Sequence, residues 1–139
     1  MNRSDFQELS RLRIKEAKVL LDNKCYEGAY YLAGYAVECA LKACVARKTK
    51  RFDFPPNEKT VREYYTHELV KLVKGAGLGA ALQTEEISNA QFRSNWAVVK
   101  DWNEQARYEP QINDKLARDL YSAISDRKHG VLKWLKKYW

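Results

Sequence analysis

Four polar residues follow one another at helical spacing in the first third of the chain. Tyr31, Tyr35, Glu38 and Lys42 are separated by four, three and four positions, which places them along one edge of a helix. We call this edge the polar seam. In a structural interpretation, Glu38 and Lys42 form an intrahelical ion pair and the tyrosine rings lie along apolar surface. In a functional interpretation, the seam faces a groove in which Lys42 meets a phosphate and the tyrosines stack or donate hydrogen bonds.

A second candidate group lies late in the chain, where Arg107 and Tyr108 shortly precede Pro110. A planar guanidinium at a helix end is suited to clamp a phosphate, although Arg107 can equally pair with Glu109 or another carboxylate. The chain has two histidines, at positions 67 and 129, and neither has a Cys, Asp or Glu partner at metal-ligand spacing. We therefore expect no metal and no cofactor.

Apolar residues that recur every three or four positions predict the helices that position these side chains. The polar seam belongs to a central helix rich in small residues, and Gly75, Gly77 and Gly79 stop a helix rather than form a phosphate loop. We find no useful period-two alternation. The predicted fold is all-α, an up-and-down bundle of four main helices plus one or two short ones, in a single domain over residues 1–139. The main predicted helices cover residues 4–23, 26–50, 91–107 and 112–125.

Composition supports a folded protein with a positive surface. Apolar residues make up 45% of the chain and charged residues 31%, and 25 Lys and Arg against 18 Asp and Glu give a net charge of +7. Such a surplus favours phosphate-rich or acidic partners, although many basic domains merely have a solvated positive face. No apolar stretch is long enough to cross a bilayer and the first residues do not resemble an export segment, so we expect a cytoplasmic protein with no membrane contact.

Cysteine and tryptophan usage points to packing. The three cysteines have no CxxC spacing, and Cys39 and Cys44 fall among small apolar residues as core fillers. Trp134 and Trp139, near the end of the sequence, are interpreted first as packing residues, with a role as dimer anchors as the alternative.

Three segments together resemble the HEPN domain family, the higher eukaryotes and prokaryotes nucleotide-binding domains. They are the run from Tyr26 to Lys42 and the next residue (YEGAYYLAGYAVECALKA), the segment THEL that contains His67, and the segment ARY that contains Arg107 and Tyr108. The resemblance implies a bundle of about four main helices that commonly dimerises and acts on nucleotides or RNA. It also implies a minimal nucleotidyltransferase as partner, in toxin and antitoxin pairs or related defence systems.

Catalytically active relatives carry an arginine followed after four to six residues by a histidine. The resemblance implies that this histidine handles the proton of the attacking ribose 2′-hydroxyl and that the arginine stabilises charge on the phosphate, without a metal. Here Arg107 has no histidine at that spacing. Arg62 and His67 have the spacing but lie in the loop that leads into a short helix predicted after Thr66, rather than at the late helix where active relatives carry the motif. A composite site remains if the bundle brings His67 near Arg107 and Tyr108.

The function expected from these observations is a nucleotide- or RNA-associated HEPN module that acts as a homodimer with a nucleotidyltransferase. In this module Lys42, Arg107 and His67 contact phosphate, while Tyr35 and Tyr108 hydrogen-bond or stack and Glu38 belongs to the same ligand-binding seam. The first alternative is a metal-independent ribonuclease toxin with His67 as acid or base and Arg107, or Arg62, as phosphate clamp. The second is a helical interaction subunit that has no ligand and no catalytic activity.

Overall fold

A computed structural model describes residues 1–52, 65–108 and 111–139, with the main chain alone at positions 50–52 and 107. Within these residues the chain is helical and contains no strand, which confirms the all-α prediction. The elements are α1 (Arg3–Asp22), α2 (Tyr26–Phe52), α3 (Leu69–Gly75), α4 (Gly79–Ser88), α5 (Ala90–Val99), a 3₁₀ helix (Glu104–Tyr108), α6 (Asp114–Ser125) and α7 (Val131–Leu135).

The two longest helices, α1 and α2, form a hairpin that is the most extensive helix pair in the bundle. The chain leaves α1 through Lys24, whose φ of 60° is left-handed and lets the amide of Cys25 donate to the carbonyl of Leu20 at 2.8 Å. Small residues keep the two helices close together. The buried Ser10 hydroxyl of α1 donates to the main-chain oxygen of Ala36 in α2 at 2.7 Å.

Helix α2 is the central element, as its small apolar residues predicted. It contacts α1, α3, α6, α7 and the 3₁₀ helix. Its inward positions are almost completely buried, and close helix approach depends on such small side chains. Trp134 and Trp139 are 3% and 8% exposed and pack in the same core, so the interpretation of these residues as dimer anchors is wrong.

The predicted helix over residues 91–107 is wrong in its second half. Helix α5 ends at Val99, a turn follows, and residues 104–108 form the 3₁₀ helix. The Asn103 side chain accepts from the Gln105 amide at 2.9 Å, which is an Asx turn that competes with a continuous helix. Trp102 leaves the helical path and becomes buried against α2, where a Cβ at Gly34 would lie 2.2 Å from the indole ring.

Other predicted boundaries agree closely with the structure. Asn113 caps α6, and its side chain accepts from the Leu116 amide at 2.9 Å. Helix α3 ends in the glycine-containing turn near Gly77, whose φ is 71°. Among the residues that the structure describes, no helix is both long and apolar enough to cross a membrane.

Candidate functional site

Glu38 is the most unusual polar residue of the polar seam because its side chain is only 2% exposed. Its position on α2 faces α3 and the 3₁₀ helix rather than solvent. An isolated carboxylate in such a place is strongly disfavoured, so it needs cationic partners. Lys42 supplies the positive charge and the His67 ring a further polar contact, with Lys42 Nζ 3.2 Å from Oε2 and His67 Nδ1 2.9 Å from Oε1 of Glu38.

His67 connects this buried carboxylate to a second one. Its Nε2 atom lies 3.1 Å from Oε2 of Glu104, while its side chain remains 43% exposed. Because ionised carboxylates only accept hydrogen bonds, a ring nitrogen makes such a bond only when it carries a hydrogen. Glu38, Lys42, His67 and Glu104 form one network, which we call the carboxylate–histidine cluster.

Local structure positions the histidine just before α3. The Thr66 hydroxyl accepts from the Glu68 amide at 3.1 Å, which turns the chain into the helix that begins at Leu69. Leu69 is 1% exposed and anchors this start in the core. The His67 ring therefore lies at the junction of α2, α3 and the 3₁₀ helix.

The 3₁₀ helix carries Glu104, Arg107 and Tyr108. It packs against α2 and is anchored by the preceding Trp102, which is 2% exposed. Positions 104 and 107 are one 3₁₀ turn apart and lie on the same side of this helix. The structure thus brings the main-chain segment of Arg107 and Tyr108 next to His67, although the chain order separates them by 40 positions. The Tyr108 side chain is 66% exposed.

Tyrosines form the other half of the polar seam. The rings of Tyr31 and Tyr35 are parallel, with an interplanar angle of 6° and centroids 6.0 Å apart. Tyr31 also contacts Trp102, at 6.0 Å between ring centroids, and the Arg13 guanidinium lies 6.0 Å from the Tyr35 ring centroid. Burial raises the pKa of Tyr35, and the charge of Glu38 acts in the same direction, so the phenol remains a hydrogen-bond donor at neutral pH.

The predicted Glu38–Lys42 ion pair is present, and His67 joins it. Glu104 was not predicted, and the only sequence signal for it was an acidic residue three positions before Arg107. Arg62 lies outside the described residues, and so does the side chain of Arg107. A role for Tyr35, Glu38, Lys42, His67, Arg107 and Tyr108 in binding or catalysis therefore stays a prediction.

The geometry limits the chemistry of His67. Both ring nitrogens are engaged by carboxylates, so proton transfer from a bound ligand requires Nε2 to leave Glu104. Within the described part of the chain, no group of His, Cys, Asp and Glu is arranged to hold a metal ion.

A separate surface groove of about 750 Å³ lies between α5 and α6. Ser94, Asn95, Val98 and Ser122 are among its lining residues, and none of the cluster residues lines it. The chemically most distinctive residues are therefore not in this groove.

The chain matches a known protein family. The model described as HEPN domain matches residues 6–138, almost the whole chain. No curated protein and no solved structure gave a significant match.

Proposed function

The chain belongs to the HEPN domain family, and from this premise we propose a cytoplasmic, single-domain module that forms a homodimer and binds nucleotide or RNA. Family membership supports nucleotide or RNA association in general. The more specific proposal is that this module acts beside a minimal nucleotidyltransferase in a toxin–antitoxin-like or defence system. Its ligand site is the polar seam together with the carboxylate–histidine cluster.

The observation that carries this proposal is the adjacency of aromatic rings and cations along one edge of α2. Tyr35 offers a ring for base stacking. Lys42 uses one of its three donors on Glu38, so further donors can bind a phosphate. The half-exposed His67 ring lies beside this pair, and its Nε2 can reach a ligand once it leaves Glu104.

Binding to the seam is tested with Tyr35→Ala, using isothermal titration calorimetry with ATP and fluorescence anisotropy with a labelled single-stranded RNA. Loss of a stacked base contact weakens binding by about 1–3 kcal/mol, or roughly 5- to 150-fold. Tyr26→Ala is the matched control because Tyr26 is also partly buried but is the first residue of α2, nine positions before Tyr35. Equal affinities of the two variants would contradict binding at the seam.

One observation also favours a metal-independent ribonuclease. His67 contacts Glu104 on the same 3₁₀ helix that carries Arg107, which is the proximity that a composite site needs. In this reaction Nε2 of His67, unprotonated and released from Glu104, takes the proton of a ribose 2′-hydroxyl. The 2′-oxygen attacks phosphorus, and the bond from phosphorus to the 5′-oxygen breaks as that oxygen takes a proton from solvent. Arg107 stabilises the charge on the phosphoryl oxygens.

The nuclease is tested by incubating purified protein with RNA in EDTA. Cleavage by the wild type that disappears in both His67→Ala and Arg107→Ala supports the nuclease. Glu104→Ala should accelerate cleavage because it removes the carboxylate that holds Nε2. A folded wild type that leaves RNA intact removes the nuclease and leaves the binding module. In that case sedimentation velocity at several protein concentrations tests the homodimer, which a concentration-independent monomer contradicts.

A further inference from the structure

The positive charge of the chain is concentrated in two segments. Residues 43–52 and 127–139 contain nine Lys and Arg and no Asp or Glu, which leaves 16 basic against 18 acidic residues for the rest of the chain. The net charge of +7 therefore comes entirely from these two segments. They lie far apart in the sequence.

The fold packs these segments against each other at one end of the bundle. Helix α7 contacts α2. The Arg47 guanidinium donates to the main-chain oxygen of Tyr138 at 3.3 Å, and the Cys44 thiol lies 3.8 Å from the main-chain oxygen of Leu135. The N-terminal half of α1 closes the assembly, because Arg3 and Gln7 both donate to the main-chain oxygen of Trp139.

We define the basic end as the exposed side chains of Arg47, Lys48, Lys133, Lys136 and Lys137. No carboxylate of the described residues lies within ion-pair distance of any of them. Several exposed cations elsewhere do have such partners. The basic end therefore combines solvent exposure with a positive charge that nearby carboxylates do not neutralise.

An aromatic ring orders part of this surface. Lys136 Nζ lies 5.7 Å and the Arg11 guanidinium carbon 4.9 Å from the ring centroid of Trp139. Trp139 itself is 8% exposed, so its ring is used by the two cations rather than offered to solvent. Lys136 and Lys137 lie three and four positions after Lys133, in the turn that follows α7.

We propose that the basic end binds the phosphate backbone of RNA, as a surface separate from the carboxylate–histidine cluster. This inference rests on the proposed function, since it assigns RNA as the ligand class. On α2, Arg47 is nine residues beyond Glu38, which places the two on opposite sides of the helix and about 13 Å apart along its axis. Binding here is electrostatic and independent of sequence, because the described residues of the basic end present no exposed ring for base stacking.

The composition of the surface favours RNA over an anionic membrane. A helix that binds at a lipid interface inserts apolar side chains between the headgroups. In residues 131–139 every apolar side chain is buried or half-buried, and only lysines are exposed. Residues 131–139 therefore offer charge for a phosphate chain and no exposed apolar side chain to insert between lipids.

The test compares two variants that each lose three positive charges. The first is Lys133→Gln/Lys136→Gln/Lys137→Gln. The second, the control, is Lys18→Gln/Lys71→Gln/Lys115→Gln, which changes exposed lysines that already pair with carboxylates. Both variants have the same net charge, so a difference between them reports the location of the charge. Circular dichroism verifies that both are folded.

Anisotropy of a labelled single-stranded RNA is measured over a range of salt concentrations. Five phosphate contacts give a slope of log K against log salt of about −3.5, and the loss of three contacts reduces it to about −1.4. The same relation predicts that the first variant binds on the order of 100-fold more weakly at about 0.1 M salt. The control should remain within a few-fold of the wild type.

Each outcome decides the proposal. RNA binding by the wild type that both variants weaken equally, or that neither weakens, overturns the basic end while leaving the RNA-associated module intact. Binding of the wild type to phosphatidylserine vesicles but not to RNA also overturns it. A wild type that binds neither RNA nor ATP removes both this inference and the proposed function.

Discussion

Removal of the cation beside a buried carboxylate should destabilise the protein far more than removal of the same type of cation at the surface. We expect Lys42→Met to lower the free energy of unfolding by about 3 kcal/mol, the lower end of the range for breaking a buried ion pair, because His67 continues to pair with Glu38. A loss of this size lowers the Tm by about 10 °C for a chain of this length.

The matched control is Lys115→Met. Lys115 and Asp119 have the same spacing of four residues and a contact of 2.7 Å, but their side chains are 82% and 50% exposed. Exposed helical pairs of this kind contribute little to stability because solvent screens them. The comparison therefore isolates the effect of burial from that of spacing.

A double variant completes the cycle. In Glu38→Met/Lys42→Met both charges are replaced by apolar side chains of similar length, and buried pairs replaced in this way often lose little stability. We expect the double variant to be more stable than Lys42→Met alone, with a coupling energy of about 2 kcal/mol between the two positions. Urea titrations followed by circular dichroism and tryptophan fluorescence give the free energies of unfolding of the wild type, Lys42→Met, Glu38→Met and the double variant.

Two results would refute the reasoning. If Lys42→Met costs no more than Lys115→Met, Glu38 is not a buried anion in solution. If the double variant loses the sum of the two single losses, Lys42 and Glu38 contribute independently and the ion pair does not explain their position.

Two further predictions concern the core around the site. Burial raises the pKa of the Cys39 and Cys44 thiols to about 11 and about 12. Between pH 9 and 11 these thiols ionise in the unfolded chain but not in the folded one, so the free energy of unfolding should fall by about 1.4 kcal/mol per pH unit and thiol. Urea titrations at pH 8, 9 and 10 measure this fall, and a flat profile would contradict it. Gly34→Ala should destabilise the fold and shift the Trp102 fluorescence because a Cβ at position 34 meets the indole ring. Gly79→Ala is the control, since open space surrounds position 79, and its stability in thermal unfolding should match or exceed that of the wild type. Similar effects of the two substitutions would contradict the close packing of Trp102 on Gly34.

The sequence predicted the main helices and the pairing of Glu38 with Lys42 because both depend on local spacing. It could not predict that Glu38 is buried. A Glu–Lys pair four residues apart has the same sequence pattern on a core-facing edge as at the surface. Glu38 is buried because His67 and Glu104, which are distant in sequence, pack over it.

The helix boundary near the site was harder to predict. From Phe92 through Trp96 to Asn103 and Ala106, residues of the predicted inner face recur every three or four positions. This spacing alone favours one continuous helix. The Asn103 turn and the packing of Trp102 on Gly34 override it. Packing against a glycine on another helix leaves no signal in the local pattern, which explains why the 3₁₀ helix and Glu104 were missed.

The long-range contacts of the basic end also determine when it exists during folding. Helices α1 and α2 are sequence neighbours and can associate early, but Arg47 meets Tyr138 across 91 positions and Gln7 meets Trp139 across 132. Closing such long loops costs conformational entropy, so these contacts form late in folding. An incompletely folded chain would carry the same charges without their arrangement, so a ligand held there would bind the native state selectively and raise its stability in proportion to the logarithm of ligand concentration.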